Sequence, residues 1–169
     1  MSEGNIGRLF RHTLSPGWLA RRAFRRDDLA AIENAVAAAE QSHRGELRFV
    51  VEGALPLAAL WRGQSPRQRA AELFAQLGVW DTEENSGVLI YVQLVDRRVE
   101  IVADRGIAAR VPQAEWEAIC RDMEQAFRAR AWRQGAVAAI AAAGRLLASH
   151  FPLPAAGNPN ELPDRPLLL

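Results

Sequence analysis

The stretch Asp81-Thr82-Glu83-Glu84-Asn85 concentrates side-chain oxygens within five consecutive positions. Asp81, Glu83 and Asn85 alternate as the first ligands of a calcium loop do, and hard cations such as Ca2+ and Mg2+ take several oxygen ligands at once. The rest of the loop pattern is missing. Ser86 stands where the turn glycine would be and Val92 where the bidentate glutamate would be, so the stretch is not an EF-hand. Asp104 closes a later strand and could converge on the same edge, as could Asp96 if its turn folds that way. The competing expectation is a solvated sheet end in which Asp81 caps a turn.

Other chemistries find less support. Cys120 falls on the apolar stripe of a helix, as a buried structural thiol would. As the only cysteine it rules out an internal disulfide and a multi-cysteine zinc site. His12, His43 and His150 belong to no H-E-x-x-H motif, and the last two lie near helix C-termini, where an imidazolium complements the helix dipole. G-x-G-x-x-G and G-x-x-x-x-G-K are both absent, and every basic residue is arginine, which removes P-loop and Schiff-base lysine chemistry. A net charge of +1 gives no global field for nucleic acid, and no nucleic-acid partner is expected.

Residues 1–24 differ in character. Arg8, Arg11, Arg21 and Arg22 alternate with Ile6, Leu9, Phe10, Leu14, Trp18, Leu19 and Phe24. Such a basic and aromatic arm can lie on an anionic membrane surface or engage a protein partner. It can also pack its apolar residues on the domain, which the Pro16-Gly17 break in any single amphipathic helix favours.

The elements that must position the acidic residues follow from periodicity. A helix begins at Asp27 or Asp28, either able to cap it, and carries Leu29, Ile32 and Val36 on one face. Glu46 to Glu52 reads as a strand. Ser65, Pro66 and Gln68 form a capping box ahead of a helix whose stop is Gly78. Gly87 to Val95 is nearly all apolar, as a strand buried on both faces must be, and Asp96-Arg97 turns the chain into an alternating strand from Arg98 to Asp104. Helices over Gln113–Arg130 and Gln134–Ser149 close the domain. This order predicts an α/β fold: a three-layer α/β/α sandwich with a small mixed sheet of about four strands, the first pair parallel and the second a hairpin. The domain spans residues 25–151, and the five prolines of residues 152–169 mark a flexible tail.

The ordered series "LFAQLGVWDTEENSGVLIYVQLVDRRVEIVADRGI", followed by "AFRARAWRQGAVAAI", resembles the TPM domain. That family was founded on a thylakoid-lumen protein, a photosystem II repair factor and a modulator of an acetylcholine receptor. Its pattern runs "LFxxWGIGD", "NNGVLLLV", "DDR", "VRIEVGYGLE" and "IIPAFREGDYxxGLLAGV". The counterparts here are Leu73-Phe74 through Asp81, Asn85 to Leu89, Asp96 to Arg98, Val99 to Ile101, Arg105 to Ile107, and Met123 to Ala138.

The resemblance implies an α/β/α sandwich. It implies either an accessory or repair role with no enzymatic activity, or a metal-dependent acid phosphatase binding Ca2+ or Mg2+ near the acidic loop. On that reading Asp81, Asn85, Asp96 and Asp104 are the candidate metal ligands. Arg97 and Arg105 are candidates for the phosphate, since a guanidinium matches its geometry. The chain departs from the pattern where it bears on this: Asp104 replaces the first glycine of "VGYG", Ala108 the glutamate of "GLE", and Gln113 an aspartate. The losses favour a binding module. With no signal-peptide core and no span of about 20 apolar residues, a cytoplasmic location is expected, with peripheral membrane association open.

Overall fold

The computed structural model describes residues 3–15, 17–153 and 159–169. Pro16, on which the expected break of the arm partly rests, lies outside them.

Two short helices form the arm, α1 (Glu3–Thr13) and α2 (Leu19–Ala23). The helix α3 (Arg26–Glu40) starts earlier than Asp27: Arg25 is the cap residue, and the Asp28 carboxylate accepts its backbone N–H at 2.9 Å. The strand β1 (Glu46–Glu52) is buried along its whole length. It leads into α4 (Leu57–Trp61), which weak periodicity hid, and then α5 (Pro66–Gln76). The capping box of α5 forms as read, with Gln68 N–H donating to the Ser65 hydroxyl.

β2 (Gly87–Gln93) is buried throughout, and residues 94–97 turn it into β3 (Arg98–Ala103). A one-turn helix, α6 (Arg105–Ala108), follows, then the long helices α7 (Gln113–Arg128) and α8 (Trp132–His150). β4 (Leu167–Leu168) ends the chain.

The sheet order is β3-β2-β1-β4. β1 and β2 pair in parallel from Glu46↔Gly87 to Glu52↔Gln93, and β2–β3 is an antiparallel hairpin from Val88↔Ala103 to Gln93↔Arg98. Alternation then sorts the side chains. Leu47, Phe49, Val51, Ile90, Val92, Val99 and Ile101 join one core with α3, α7 and α8. Val50, Leu89 and Tyr91 join another with Ala70 and Leu73 of α5. Helices on both faces of a mixed sheet make the expected α/β/α sandwich.

The carboxy-terminal segment corrects the expectation of a flexible tail. Leu167 and Leu168 pair in parallel with Val50 and Val51, Leu162 is buried, and the Arg48 guanidinium donates to the Pro163 carbonyl at 2.6 Å. The physical reason is that β1 has a free edge. An edge strand needs hydrogen bonds on one side only, so the neighbouring prolines do not prevent it. Residues 154–158 lie outside the described part.

The arm boundary also moves. Phe24 is buried, edge-on to Phe49, Phe127 and Trp132 at 5.8–6.3 Å. It belongs to the core rather than to the arm. Among the described residues, no helix is long and apolar enough to cross a membrane.

Candidate functional site

Hairpin geometry divides the expected acidic site. The 81–86 loop enters β2 at Gly87, and Asp104 leaves β3 at the same end, its N–H donating to the Gly87 carbonyl at 2.8 Å. Asp96 sits in the turn at the other end. The seven residues of β2 put about 20 Å between the two ends. Asp96 therefore does not join Asp81, Asn85 and Asp104, and Arg97 is likewise parted from Arg105.

At the loop end the backbone is tightly fitted. A Cβ on Gly87 would lie 1.8 Å from the Val79 carbonyl oxygen, and one on Gly106 would lie 2.6 Å from that of Asn85. No larger residue fits either position without moving the loop. Thr82 Oγ1 accepts the Ser86 N–H at 2.8 Å and fixes the turn.

Three further side-chain oxygens there, on Asn85, Glu84 and Asp104, are engaged by the protein itself. Arg105 Nε donates to Asn85 Oδ1 at 3.0 Å, and Arg44 pairs with Glu84 at 2.9 Å. Asp104 Oδ1 accepts the Arg105 N–H at 2.7 Å, capping α6. Its Oδ2 is buried without a hydrogen-bond partner, while Asp81 and Glu83 are exposed. Among the described residues, no three His, Cys, Asp or Glu side chains converge where they could hold a metal ion. The Arg105 guanidinium beside Asn85 opposes a cation there.

At the hairpin end, Asp96 does something the sequence did not announce. Arg8 Nε lies 3.1 and 3.0 Å from its two carboxylate oxygens and Arg8 Nη2 2.6 Å from Oδ2. His12 Nε2 lies 3.0 Å from Oδ1. His12 is buried, and its Nδ1 accepts the Leu55 N–H at 2.9 Å, so the ring proton sits on Nε2 and points at Asp96. Burial pushes the Asp96 carboxyl up, but hydrogen bonds from His12 and Arg8 outweigh it and hold the group down to about 2.

This anchor decides how α1 faces. Arg8, Leu9 and His12 turn toward the domain, Leu9 packing on Leu55, Ala59 and Leu60. The i, i+4 ridge of Ile6, Phe10 and Leu14 faces away, with Phe10 62% and Leu14 78% exposed. Trp18 continues it, half-exposed under the Arg22 guanidinium 5.3 Å from its ring centroid. Arg11, Arg21, Arg22, Arg25 and Arg26 are exposed in the same segment. The usual amphipathic arrangement is partly inverted: Arg8 and His12 hold the helix to the domain beside Leu9, while Ile6, Phe10 and Leu14 meet solvent. Residue types pointed to the arm, but only the partners of Arg8 and His12 reveal its orientation.

A second polar cluster went unread. Glu52, 2% exposed at the end of β1, accepts two hydrogen bonds from Arg69 Nε and a third from Nη2 at 2.7 Å. The Tyr91 hydroxyl donates to its other oxygen at 2.6 Å. Burial first, then the adjacent Glu52 charge, push the Tyr91 hydroxyl well above its ordinary range. The cluster is closed on itself and fastens α5 to the two central strands.

Comparison with known proteins agrees with this architecture. No curated protein matches the chain. Among solved structures, the chain is similar to the BA42 protein of the psychrophilic bacterium Bizionia argentinensis, with 28% identity and a TM-score of 0.76 over 86% of this chain and 95% of that one. It also shares its fold with the N-terminal domain of a protein from P. gingivalis, at 18% identity and a TM-score of 0.63 over 81% of this chain and 90% of that one. The family model of the TPM domain matches residues 21–146, most of the chain, and the protein belongs to the TPM domain family.

Proposed function

We propose that the chain is a TPM-type binding module that docks on an anionic membrane surface through its amino-terminal arm. The observation that carries this is the outward apolar ridge of Ile6, Phe10, Leu14 and Trp18, held out by a buried ion pair and flanked by exposed arginines. Each apolar side chain taken from water contributes about 1.5–3 kcal/mol when fully buried, and each arginine at an anionic surface about 1 kcal/mol. A few of each suffice for reversible peripheral attachment. A protein partner fits the apolar ridge but gives the arginines no general role.

Vesicle co-sedimentation tests the proposal. The wild-type chain should partition onto phosphatidylserine-containing vesicles and not onto phosphatidylcholine alone. The Phe10→Ser/Leu14→Ser/Trp18→Ser variant should lose at least tenfold in partition with an unchanged melting temperature. Equal partition by the two proteins would sink the membrane reading and send the search to a protein partner.

The metal-dependent phosphatase reading has one observation on its side, the unpartnered Asp104 Oδ2 beside Arg105. It lacks Asp96, which is committed to the arm. A Ca2+ and Mg2+ titration followed by amide shifts decides it. Saturable shifts at residues 81–87 and 104, abolished by Asp104→Asn, would favour it; unshifted spectra at millimolar ion would remove it.

A further inference from the structure

The docked arm and the rest of the domain enclose a hollow of about 400 Å³. Leu14, Leu19 and Ala23 line it from the arm; Leu94 and Val95 of the hairpin turn and Trp132 at the start of α8 line it from the domain. The volume lies within the range of small-ligand pockets. The wall is apolar and firmly held. Ala23, Leu94 and Trp132 pack on the main core, and the Trp132 ring stands edge-on to Phe24 at 5.9 Å and tilted against Phe127 at 4.8 Å. A single hydroxyl, that of Ser15, joins this lining, and it donates to the Arg11 carbonyl at 2.6 Å. The uncharged part of the wall therefore suits an apolar body.

The charges on the lining are all of one sign. Arg11 and Arg97 complete it, and no carboxylate joins them among the described residues. Asp96, next to Arg97 in the chain, is committed to Arg8 and His12. Neither Arg11 nor Arg97 has an ion-pair partner among the described residues. Arg11 belongs to the last turn of α1, where a guanidinium complements the helix dipole. That does not account for Arg97. It holds φ +54° in the hairpin turn, a backbone region that strains a side chain and that glycine enters freely. Strain of this kind gathers at functional sites.

We propose that this hollow binds a single-chain carboxylate amphiphile of the fatty-acid type, its hydrocarbon chain against Leu19, Leu94 and Trp132 and its carboxylate at Arg11 and Arg97. A carboxylate presents two coplanar oxygens, which one guanidinium fork takes in parallel. A chain of methylenes brings no polar group that the apolar wall would have to satisfy. The site goes beyond membrane docking: a dissolved amphiphile reaches it without a vesicle. The variants that test it touch neither Phe10 nor Trp18 of the outward ridge, so the two readings stand or fall separately.

Titration calorimetry of the full chain with dodecanoate, kept below its micelle concentration, should give saturable binding. Hexanoate and the cationic dodecyltrimethylammonium should each bind at least tenfold more weakly. Arg11→Gln and Arg97→Gly should each weaken dodecanoate severalfold. Glycine at position 97 relieves the backbone, so the melting temperature holds or rises and loss of binding separates from loss of fold. Arg145→Gln, at an exposed position of α8, should leave the affinity unchanged. Dodecanoate should also shift the amide signals of Leu19, Leu94 and Trp132. The proposal is overturned by no saturable binding, by equal affinity for the cationic amphiphile, or by unchanged affinity in the Arg11→Gln/Arg97→Gly double variant. Binding of dodecyl phosphate without binding of dodecanoate overturns it as well.

Discussion

Asp96 carries the attachment of the arm on one carboxylate. Its folded-state pKa of about 2 lies below the ordinary 3.8. The unfolded chain therefore binds more protons between those values, and the stabilisation is present above pH 4 and lost as the pH falls toward 2. The shift corresponds to about 2 kcal/mol. Denaturant melts from pH 5 to pH 2 should show this loss in the wild type, and a shallower loss in Asp96→Asn, which is already destabilised at neutral pH. A parallel pH dependence in the two proteins would contradict the ion-pair account. Nothing in the sequence couples Arg8 to a residue 88 positions away. Asp96 looked like a metal ligand because it is acidic and ends an apolar run. Its distance from Asp81, by contrast, follows from hairpin geometry alone, since a turn lies one strand length from the strand's start.

Two polar clusters set how the elements hold together. Arg69→Met leaves the Glu52 charge buried without its partner, and breaking such a pair costs about 3–5 kcal/mol. Urea melts of that variant should show a loss of this size; a loss below 1 kcal/mol would mean that Tyr91 and water satisfy Glu52 without Arg69. The second cluster joins α3, β1 and the carboxy-terminal segment. Glu40 accepts the Leu47 N–H at 2.8 Å, while burial, aided by nearby Glu46 and Asp164, pushes its carboxyl up to about 8. The native state then binds the extra proton between pH 4.5 and 8, so stability falls as pH rises through that window. Glu40→Gln should flatten the decline and raise the melting temperature at pH 8; a variant less stable than wild type at pH 8 would show that the carboxylate is needed in its charged form. Long elements were legible because burial imposes a period on them: β1, β2, α5, α7 and α8 stand within a few residues of their expected bounds. β4 was not, because two residues on an edge impose no period, and its docking depends on the free side of β1 and on Arg48, neither visible locally.

At the scale of the molecule the sheet has two unlike ends. One is tightly fitted at Gly87 and Gly106, with Asn85 and Glu84 bonded to Arg105 and Arg44. The other gathers Arg97, Arg98, Arg128 and Arg130 around a cleft and tethers a helix whose apolar ridge points outward. The family was legible from ordered motifs, and those motifs concentrate on β2, β3 and the loop between α5 and β2. The arm lies almost wholly outside the matched residues 21–146, so family likeness says nothing of its role; its chemistry rests on geometry. The most direct measurement is paramagnetic broadening of amide signals in anionic bicelles carrying a spin label in the acyl chains. Broadening concentrated at residues 6–22, relieved by salt and absent from residues 81–87, is the expected result. Broadening centred on the 81–87 loop, or none anywhere in the chain, would contradict a membrane-facing arm.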